Sequence, residues 1–258
     1  IKQLHVTRKL NASQPIELVS TFLGAHAVPP EYKGRSKAFL DFLLKEVMPV
    51  VKKENLAEFC DIFCEEGVFS VDESRQYLKK AREMGFKLKI HADEIVSLGG
   101  SELAGELKAT SADHLLHASD AGIKAMAENG VVSTLLPTTA FCLREPFARA
   151  REMIDAGCAV ALATDFNPGS GFTFSVPLML GLAVIYMHMT AEEAITALTL
   201  NGAAAVGRAD RIGSIEVGKQ ADLTILQYPS YKFLPYHTGV NIVEKVIKKG
   251  ELVHTASV

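Results

Sequence analysis

Short apolar runs alternate with segments of helical periodicity along most of this sequence, and that alternation restricts the fold more than any other feature. Six strand-then-helix repeats can be followed, at roughly the spacing of βα units. The runs show little polar alternation, which is typical of parallel strands covered on both faces. The pattern predicts an α/β fold whose strands are the segments 16–25, 59–65, 86–91, 109–114, 131–136 and 159–163.

Capping residues help to place the helices between these strands. Ser70 and Glu73 have the spacing of a capping box, and Thr190 and Glu193 have the same spacing. A glycine, Gly85, is expected to close the helix that Ser70 begins. The predicted helices cover the segments 1–10, 36–53, 71–84, 102–107, 119–129, 147–156, 177–187 and 191–206.

The character of the sequence changes after Gly207. A turn-rich segment at 213–219 is followed by two short strand-like runs, 221–227 and 243–248. Such β-rich sequence behind a βα array predicts a small appended sheet. We therefore expect a barrel-type domain over 1–207 and strands of a small β domain over 208–258.

Composition excludes several classes of function. The chain has 258 residues, 48% of them hydrophobic, and a net charge of −3, so no general attraction to nucleic acid or to an anionic membrane is expected. No apolar run reaches membrane-spanning length and no signal peptide precedes the first strand, which makes the cytoplasm the expected location. The four cysteines lack metal-knuckle spacing and are expected to be reduced thiols in the core.

Ionisable side chains stand where the predicted strands end. Parallel strands present functional groups at their carboxyl ends, and a barrel would bring those ends to one mouth. A single histidine there is more often structural, but several histidines with a carboxylate form the donor set of a hydrolytic zinc or iron centre. The residues at these ends are His26, Glu65, His91, His114 and Asp165.

Chemistry suggests different roles for these residues. His91 and Asp165 are the best candidates for metal ligands. Glu94, three residues beyond His91, could move a proton or bind a substrate N–H, although a carboxylate near a helix start is also favoured by the helix dipole. His114 could polarise a carbonyl, or it could simply cap its strand by hydrogen bonding.

The loop after the run 159–163 offers a further binding element. Asn167 and Ser170 supply an amide and a hydroxyl, and Gly169 lies between them. With free backbone N–H groups, such a loop suits a carboxylate or amide on a small substrate. A plain tight turn explains the same residues.

Four segments resemble the imidazolonepropionase family of metal-dependent amidohydrolases. Further matches at 61–65, 67–69 and 213–223 extend the resemblance over nearly the whole chain, although the last of them is weakly specific. The pair 89–94 and 164–170 is much more specific. The four segments are GAHAVP at 24–29, KIHADE at 89–94, SADHL at 111–115 and TDFNPGS at 164–170.

The resemblance implies a TIM-type (β/α)8 barrel with a composite small β domain. It also implies hydrolysis of 4-imidazolone-5-propanoate to N-formimidoyl-L-glutamate, in histidine degradation, with one Zn or Fe ion. Carried over by position, His91 and Asp165 resemble the metal ligands. The residues that resemble substrate contacts or active-site groups are His26, Glu94, His114, Asn167, Gly169 and Ser170.

The implied mechanism assigns a step to each catalytic group. A metal-bound hydroxide attacks the ring carbonyl, and Asp165 accepts the proton of the water. His114 and the metal stabilise the oxyanion. Glu94 orients the ring nitrogens and passes a proton to the leaving nitrogen.

One feature of the family is missing from this sequence. Its members also carry a His-x-His pair at the end of the first barrel strand, and these residues contain no such pair. Together with six repeats instead of eight, this predicts that the first two strands and part of the small domain are absent. We expect the full-length protein to be an enzyme and the chain by itself to bind metal poorly, if at all.

Alternative functions remain open at this stage. Another single-metal amidohydrolase, a cyclic amidase or a deaminase, has a similar donor set, and a catalytically incompetent barrel fragment could act as a subunit or binding module. No lysine ends a predicted strand, which disfavours two-metal members with a carboxylated lysine. The apolar segment 176–189 fits either a homodimer contact or a helical core.

Overall fold

The structure is a computed structural model that describes residues 1–256, and the chain divides into two compact units, 1–131 and 132–258. The predicted domain division at 207 stays a prediction. The first unit contains, in chain order, α1 (Lys2–Asn11), β1 (Thr21–Ala25), a 3-10 turn (Pro30–Tyr32), α2 (Ser36–Phe42), a π turn (Leu43–Val47), α3 (Met48–Lys53), β2 (Phe59–Cys64), α4 (Val71–Glu83), β3 (Lys87–Ala92), α5 (Gly100–Glu106), β4 (Ser111–His114) and α6 (Asp120–Asn129).

The second unit begins with a parallel strand pair and ends with a small antiparallel sheet. Its elements are β5 (Val132–Leu135), α7 (Pro137–Leu143), α8 (Ala150–Asp155), β6 (Val160–Leu162), α9 (Val176–Tyr186), α10 (Ala191–Leu198), α11 (Leu200–Ala205), β7 (Leu223–Leu226), α12 (Phe233–Tyr236), β8 (Val243–Lys248) and β9 (Glu251–Thr255).

In the first unit, β1 to β4 run parallel in chain order, as the alternation predicts. The register places His91 of β3 beside Phe63 of β2 and Asp113 of β4. One residue further on, Ala92 pairs with His114. The strand ends that carry the candidate residues are therefore level with one another.

The strands are less uniformly apolar than the sequence pattern suggests. In β3, the buried Leu88 and Ile90 alternate with Lys87, Lys89 and His91. Alternate side chains of a strand point to opposite faces, so one face of β3 is apolar and the other carries nitrogen bases. The polar face is the one that bears the candidate site.

Capping residues fix the helices that pack behind these strands. The predicted capping boxes are both present, from Ser70 to Glu73 and from Thr190 to Glu193. Gly85 follows α4 with φ +84°, a left-handed conformation that glycine adopts without steric cost. These predictions are confirmed.

Several element boundaries differ from the predictions. The first strand begins at Thr21 because Asn11 binds both the N–H and the carbonyl of Leu18 through its side chain. The predicted helix 36–53 is interrupted by a π turn before Met48, since Pro49 has no amide N–H for the carbonyl four residues earlier.

The second unit contains elements that the sequence pattern did not predict. Helix α7 starts at Pro137, directly after the predicted strand 131–136, and β9 pairs with β8. The predicted helix 191–206 divides at Thr199, whose φ of −103° and ψ of −84° are not helical.

The cysteines and the apolar helix α9 complete the comparison. Cys60, Cys64 and Cys158 are buried free thiols as expected, whereas Cys142 is exposed. Helix α9 buries its middle but exposes Ile185 and Tyr186. Within 1–256, no helix combines the length and the apolar character that crossing a membrane requires.

Candidate active site

Three imidazole rings meet at the carboxyl ends of the strands of the first unit. The ring centroids of His91 and His114 are 5.1 Å apart, and those of His26 and His91 are 5.7 Å apart. Phe63 stacks on His26 at 5.4 Å with an interplanar angle of 15°. The expected convergence of these histidines is therefore observed, while their roles stay predictions.

The backbone at these strand ends is strained. His114 has φ +77°, Leu115 has φ +62° and Asp93 has φ +50°. Side chains other than glycine adopt such left-handed conformations at a cost, which the surrounding structure must offset. Here the strain turns the chain sharply just after the site residues of β3 and β4.

Two carboxylates surround the imidazole of His91. Nδ1 of His91 lies 3.1 Å from Oδ2 of Asp61, although the geometry is not that of a hydrogen bond. Donor atoms of Asp61, His91 and Asp113 all lie within 4.8 Å of one another. Burial by itself would lower the pKa of His91, but the charges of Asp61, Asp113 and Glu94 raise it to about 9.

His114 has the opposite electrostatic character. Burial, together with the neighbouring His91 and His26, lowers the pKa of His114 to about 3. Its ring is therefore neutral near pH 7. Nδ1 of His114 lies 3.5 Å from Oε1 of Glu94, which places a neutral imidazole next to a carboxylate.

Two buried carboxylates hold the loop that carries Glu94. Oε2 of Glu65 accepts the backbone N–H groups of Glu94 and Ile95 at 3.0 and 2.8 Å. Asp93 accepts four more backbone N–H groups at the start of α5. Glu65 was noted from the sequence only as a residue at a strand end; the structure shows that it fixes the position of Glu94.

The second unit holds the other proposed metal ligand. Asp165 lies three residues beyond the end of β6 and has φ +49°. Its Oδ2 accepts the hydroxyl of Thr139 at 2.8 Å, and the hydroxyl of Thr138 donates to the carbonyl of Thr164 at 2.7 Å. Helix α7, which the sequence pattern missed, therefore positions this carboxylate.

The loop after Asp165 is a tight turn closed by its own side chains. Oδ1 of Asn167 accepts the N–H groups of Gly169 and Ser170, both at 2.8 Å. Its amide nitrogen donates to the carbonyl of Asp165 and to the hydroxyl of Ser170. The expectation of free N–H groups at Gly169 and Ser170 is wrong, because Asn167 occupies them.

The donor set fits a zinc or iron ion. Such ions take neutral imidazole nitrogen and carboxylate oxygen. Since the pKa of His91 is raised to about 9, its ring would give up a proton on binding the ion, and the carboxylates of Asp61 and Asp113 lie beside it. Within the described residues 1–256, the buried Nδ1 atoms of His91 and His114 have no hydrogen-bond partner, although they face the carboxylates of Asp61 and Glu94, respectively. An arrangement of this kind can bind a cation and move protons next to it.

Sequence reasoning assigned no role to several residues of the site. Asp61, Lys89 and Ser111 each lie two positions before a residue at the level of the site, on the same face of the same strand. Those residues are Phe63, His91 and Asp113. That period-two spacing was the available signal. Thr139 gave no such signal, because its partner Asp165 is 26 residues away.

Comparison with known proteins places this geometry in context. A model of the amidohydrolase family matches residues 54–253. Imidazolonepropionase of Clostridium tetani is 66% identical over 257 residues, covering 100% of this chain and 61% of that protein. Imidazolonepropionase of Parabacteroides distasonis is 64% identical over 250 residues, covering 97% of this chain and 60% of that protein. The chain thus spans about three fifths of the length of these curated relatives.

Solved structures show the fold. A zinc-bound adenosine deaminase from Xanthomonas campestris superimposes with a TM-score of 0.72 at 21% identity, covering 96% of this chain and 63% of that one. Guanine deaminase of E. coli gives a TM-score of 0.73 at 16% identity, covering 96% and 67%. At these identities the likeness concerns the fold alone, which is α/β and barrel-like.

Proposed function

The chain belongs to the amidohydrolase family, and from this premise we propose that the protein hydrolyses 4-imidazolone-5-propanoate to N-formimidoyl-L-glutamate. The relatives named imidazolonepropionase support this substrate. The observation that carries the proposal is the meeting of His91, His114 and Glu94, with 5.1 Å between the two rings and 3.5 Å from His114 to Glu94.

His91 and Asp165 are each proposed as a metal ligand, as their match to the family motifs implies. A bound metal would supply Lewis acidity towards water and towards the substrate carbonyl. His91 contributes a nitrogen donor whose ring is confined by Asp61, and Asp165 contributes an oxygen donor that accepts one hydrogen bond from Thr139. The choice between zinc and iron is left to metal analysis.

The neutral imidazole of His114 suits the stabilisation of a developing oxyanion. With a pKa lowered to about 3 by burial and by its histidine neighbours, it enters the reaction uncharged. A neutral ring can donate one N–H to an oxygen on which charge develops. Its buried position excludes competing water.

Glu94 is proposed to bind the substrate ring and to carry a proton. Hydrolysis adds water to the ring carbonyl carbon and breaks its bond to the ring nitrogen, which must then take up a proton. A carboxylate beside that nitrogen can accept its N–H as a hydrogen bond, and it can deliver to the nitrogen the proton that the attacking water releases. Glu65 holds the Glu94 backbone in place for this purpose.

Contacts to the rest of the substrate are proposed for His26 and for the loop after Asp165. His26 presents a ring stabilised by its stacking on Phe63. Asn167, Gly169 and Ser170 would bind the propanoate or the product by exchanging hydrogen bonds that they now make with one another.

The finer fold assignment is part of the same proposal. A TIM-type (β/α)8 barrel with a small β domain accounts for the parallel strands with their helices. The antiparallel sheet β7–β8–β9 supports the small domain.

Product analysis tests the proposed reaction. The purified full-length protein, which contains this chain, is incubated with 4-imidazolone-5-propanoate and Zn²⁺, and the products are identified by mass spectrometry together with an ammonia assay. We expect N-formimidoyl-L-glutamate without ammonia. Release of ammonia would indicate a deaminase instead, and an unchanged substrate would contradict the proposal.

A further inference from the structure

A lysine ammonium is buried on the same face of β3 as His91. Lys89 is 8% exposed and lies two residues before His91. Its Nζ also lies 5.2 Å from the ring centroid of Phe59. Burying a positive charge is costly unless charged or polar groups compensate, so a buried ammonium needs a reason to be where it is.

The ammonium begins a hydrogen-bonded chain that leads to the site. Nζ of Lys89 donates to Oγ of Ser111 at 2.7 Å. The same hydroxyl donates to Oδ1 of Asp113 at 2.9 Å. Ser111 is fully buried, so its hydroxyl is held in one orientation between the two charges.

The end of this chain is one of the two carboxylates around His91. Donor atoms of Asp61, His91 and Asp113 lie within 4.8 Å of one another. Two carboxylates at this separation repel each other, and the repulsion is strong where water is excluded. The positive charge of Lys89, linked to Asp113 through the hydroxyl of Ser111, offsets that repulsion and keeps both carboxylates close to the imidazole.

We propose that Lys89 is a positioning residue for the metal ligand His91. Through the hydroxyl of Ser111 it fixes the carboxylate of Asp113, and its charge holds Asp113 and Asp61 against the His91 ring. Carboxylates that orient a ligating histidine strengthen its bond to the metal. The inference rests on the proposed function, since it takes His91 as a ligand.

Lys87 provides a matched control for Lys89. It stands on the same strand, two residues earlier, and its ammonium also lies over Phe59, 5.5 Å from the ring centroid. Lys87 is exposed, whereas Lys89 is buried. Replacing each lysine by methionine removes one charge of the same strand while keeping a side chain of similar length.

The test compares Lys89→Met, Lys87→Met and Ser111→Ala with the wild type, all as full-length proteins, because the chain by itself is expected to bind metal poorly. Zinc affinity is measured by competition with a chromophoric chelator, and the visible spectrum is recorded with Co²⁺ in place of zinc. Ring opening supplies kcat and KM, and circular dichroism checks the fold.

For Lys89→Met we expect zinc binding weaker by about 10- to 100-fold, the typical cost of removing a group that supports a metal ligand. The Co²⁺ spectrum should change, and kcat should fall while KM stays within about 3-fold, because the residue acts on the metal ligand and not on substrate binding. Ser111→Ala should shift affinity in the same direction by less, and Lys87→Met should match the wild type.

The proposed function and the role of Lys89 can be refuted separately. A wild-type protein that binds zinc and opens the ring, with Lys89→Met equal to Lys87→Met in affinity and spectrum, would overturn this inference alone. A wild-type protein that neither binds zinc nor opens the ring would overturn the proposed function and this inference with it. If Lys89→Met does not fold, Ser111→Ala decides, and unchanged zinc affinity in that variant is the contradicting result.

Discussion

Nδ1 of His91 lies 3.1 Å from Oδ2 of Asp61 on the neighbouring strand. Asp61 is 2% exposed, so it has been removed from water to stand beside this ring. A carboxylate at one nitrogen of an imidazole orients the ring and leaves the other nitrogen, Nε2, for a metal. The register of β2 against β3 therefore decides which carboxylate lies beside the candidate metal ligand His91.

Replacing Asp61 by asparagine should weaken metal binding. The charge next to His91 is lost while the shape of the side chain is kept, and we expect zinc affinity to fall by about 10- to 100-fold. Chelator competition measures it. Asp72→Asn is the control, because the side chain of Asp72 is 84% exposed. Equal affinities of the two variants would contradict the role given to Asp61.

Removing Glu65 should release the loop that carries Glu94. The Glu65→Ala variant leaves the N–H groups of Glu94, Ile95 and Glu66 without their carboxylate acceptor. We expect the free energy of unfolding to drop by about 3 kcal/mol, with a fall in kcat/KM of at least about 10-fold. Urea unfolding and the ring-opening assay measure the two effects.

The adjacent Glu66→Ala variant is the control for this experiment. Glu66 is exposed, and the variant keeps the backbone N–H that binds Glu65. Its stability should stay within about 0.5 kcal/mol of the wild type. A stable and fully active Glu65→Ala protein would show that Glu94 does not depend on this acceptor.

Thr139→Val tests the support of Asp165 by α7. Valine keeps the size of threonine but removes the hydroxyl that donates to Asp165 Oδ2 at 2.8 Å. We expect a loss of about 1 kcal/mol in stability and a clear reduction in kcat, because the carboxylate is no longer held. Thr196→Val, on the exposed surface of α10, should change neither. If the Thr139→Val variant kept the wild-type kcat, α7 would have no part in supporting Asp165.

The cysteines give a prediction about pH. Burial raises the pKa of Cys60 to about 12 and that of Cys64 to about 11, from an ordinary value of 9.0. Below pH 9.0 these buried thiols make their full contribution to the stability of the folded state. The contribution is lost as the pH rises towards 11 and 12, since only the unfolded chain then ionises. Cys142, by contrast, is exposed.

Thiol labelling of the native protein at pH 8 should therefore modify Cys142 alone, and all of the cysteines once the protein is unfolded. Mass spectrometry locates the label. Rapid native labelling of Cys60 or Cys64 would contradict the buried positions of these thiols in the first unit.

The sequence predicted the course of the chain better than the interactions within the site. Apolar runs and capping boxes such as Ser70 to Glu73 depend on residues close in sequence, and they were read correctly. The parallel pairing of their strands also predicted that His91 and His114 lie at nearly the same height in the sheet. Local pattern was sufficient for these features.

The hydrogen bonds within the site depend on contacts between segments that are distant in sequence. Thr139 binds a carboxylate 26 residues away, and Lys89 reaches Ser111 across a strand pair, 22 residues along the chain. The turn at Asn167 shows a related difficulty: its donors were recognised, but the sequence does not reveal that they bind one another. Hydrogen-bond partners are chosen by the fold, so residue types alone do not identify them.

The metal dependence of ring opening tests the central claim most directly. The rate of loss of 4-imidazolone-5-propanoate is measured on full-length protein dialysed against a chelator, before and after Zn²⁺ is added back, for the wild type and for His91→Ala. The account predicts that the wild type loses its rate and recovers it with zinc, whereas His91→Ala stays inactive. A rate that the chelator leaves unchanged, or a His91→Ala protein as active as the wild type, would contradict it.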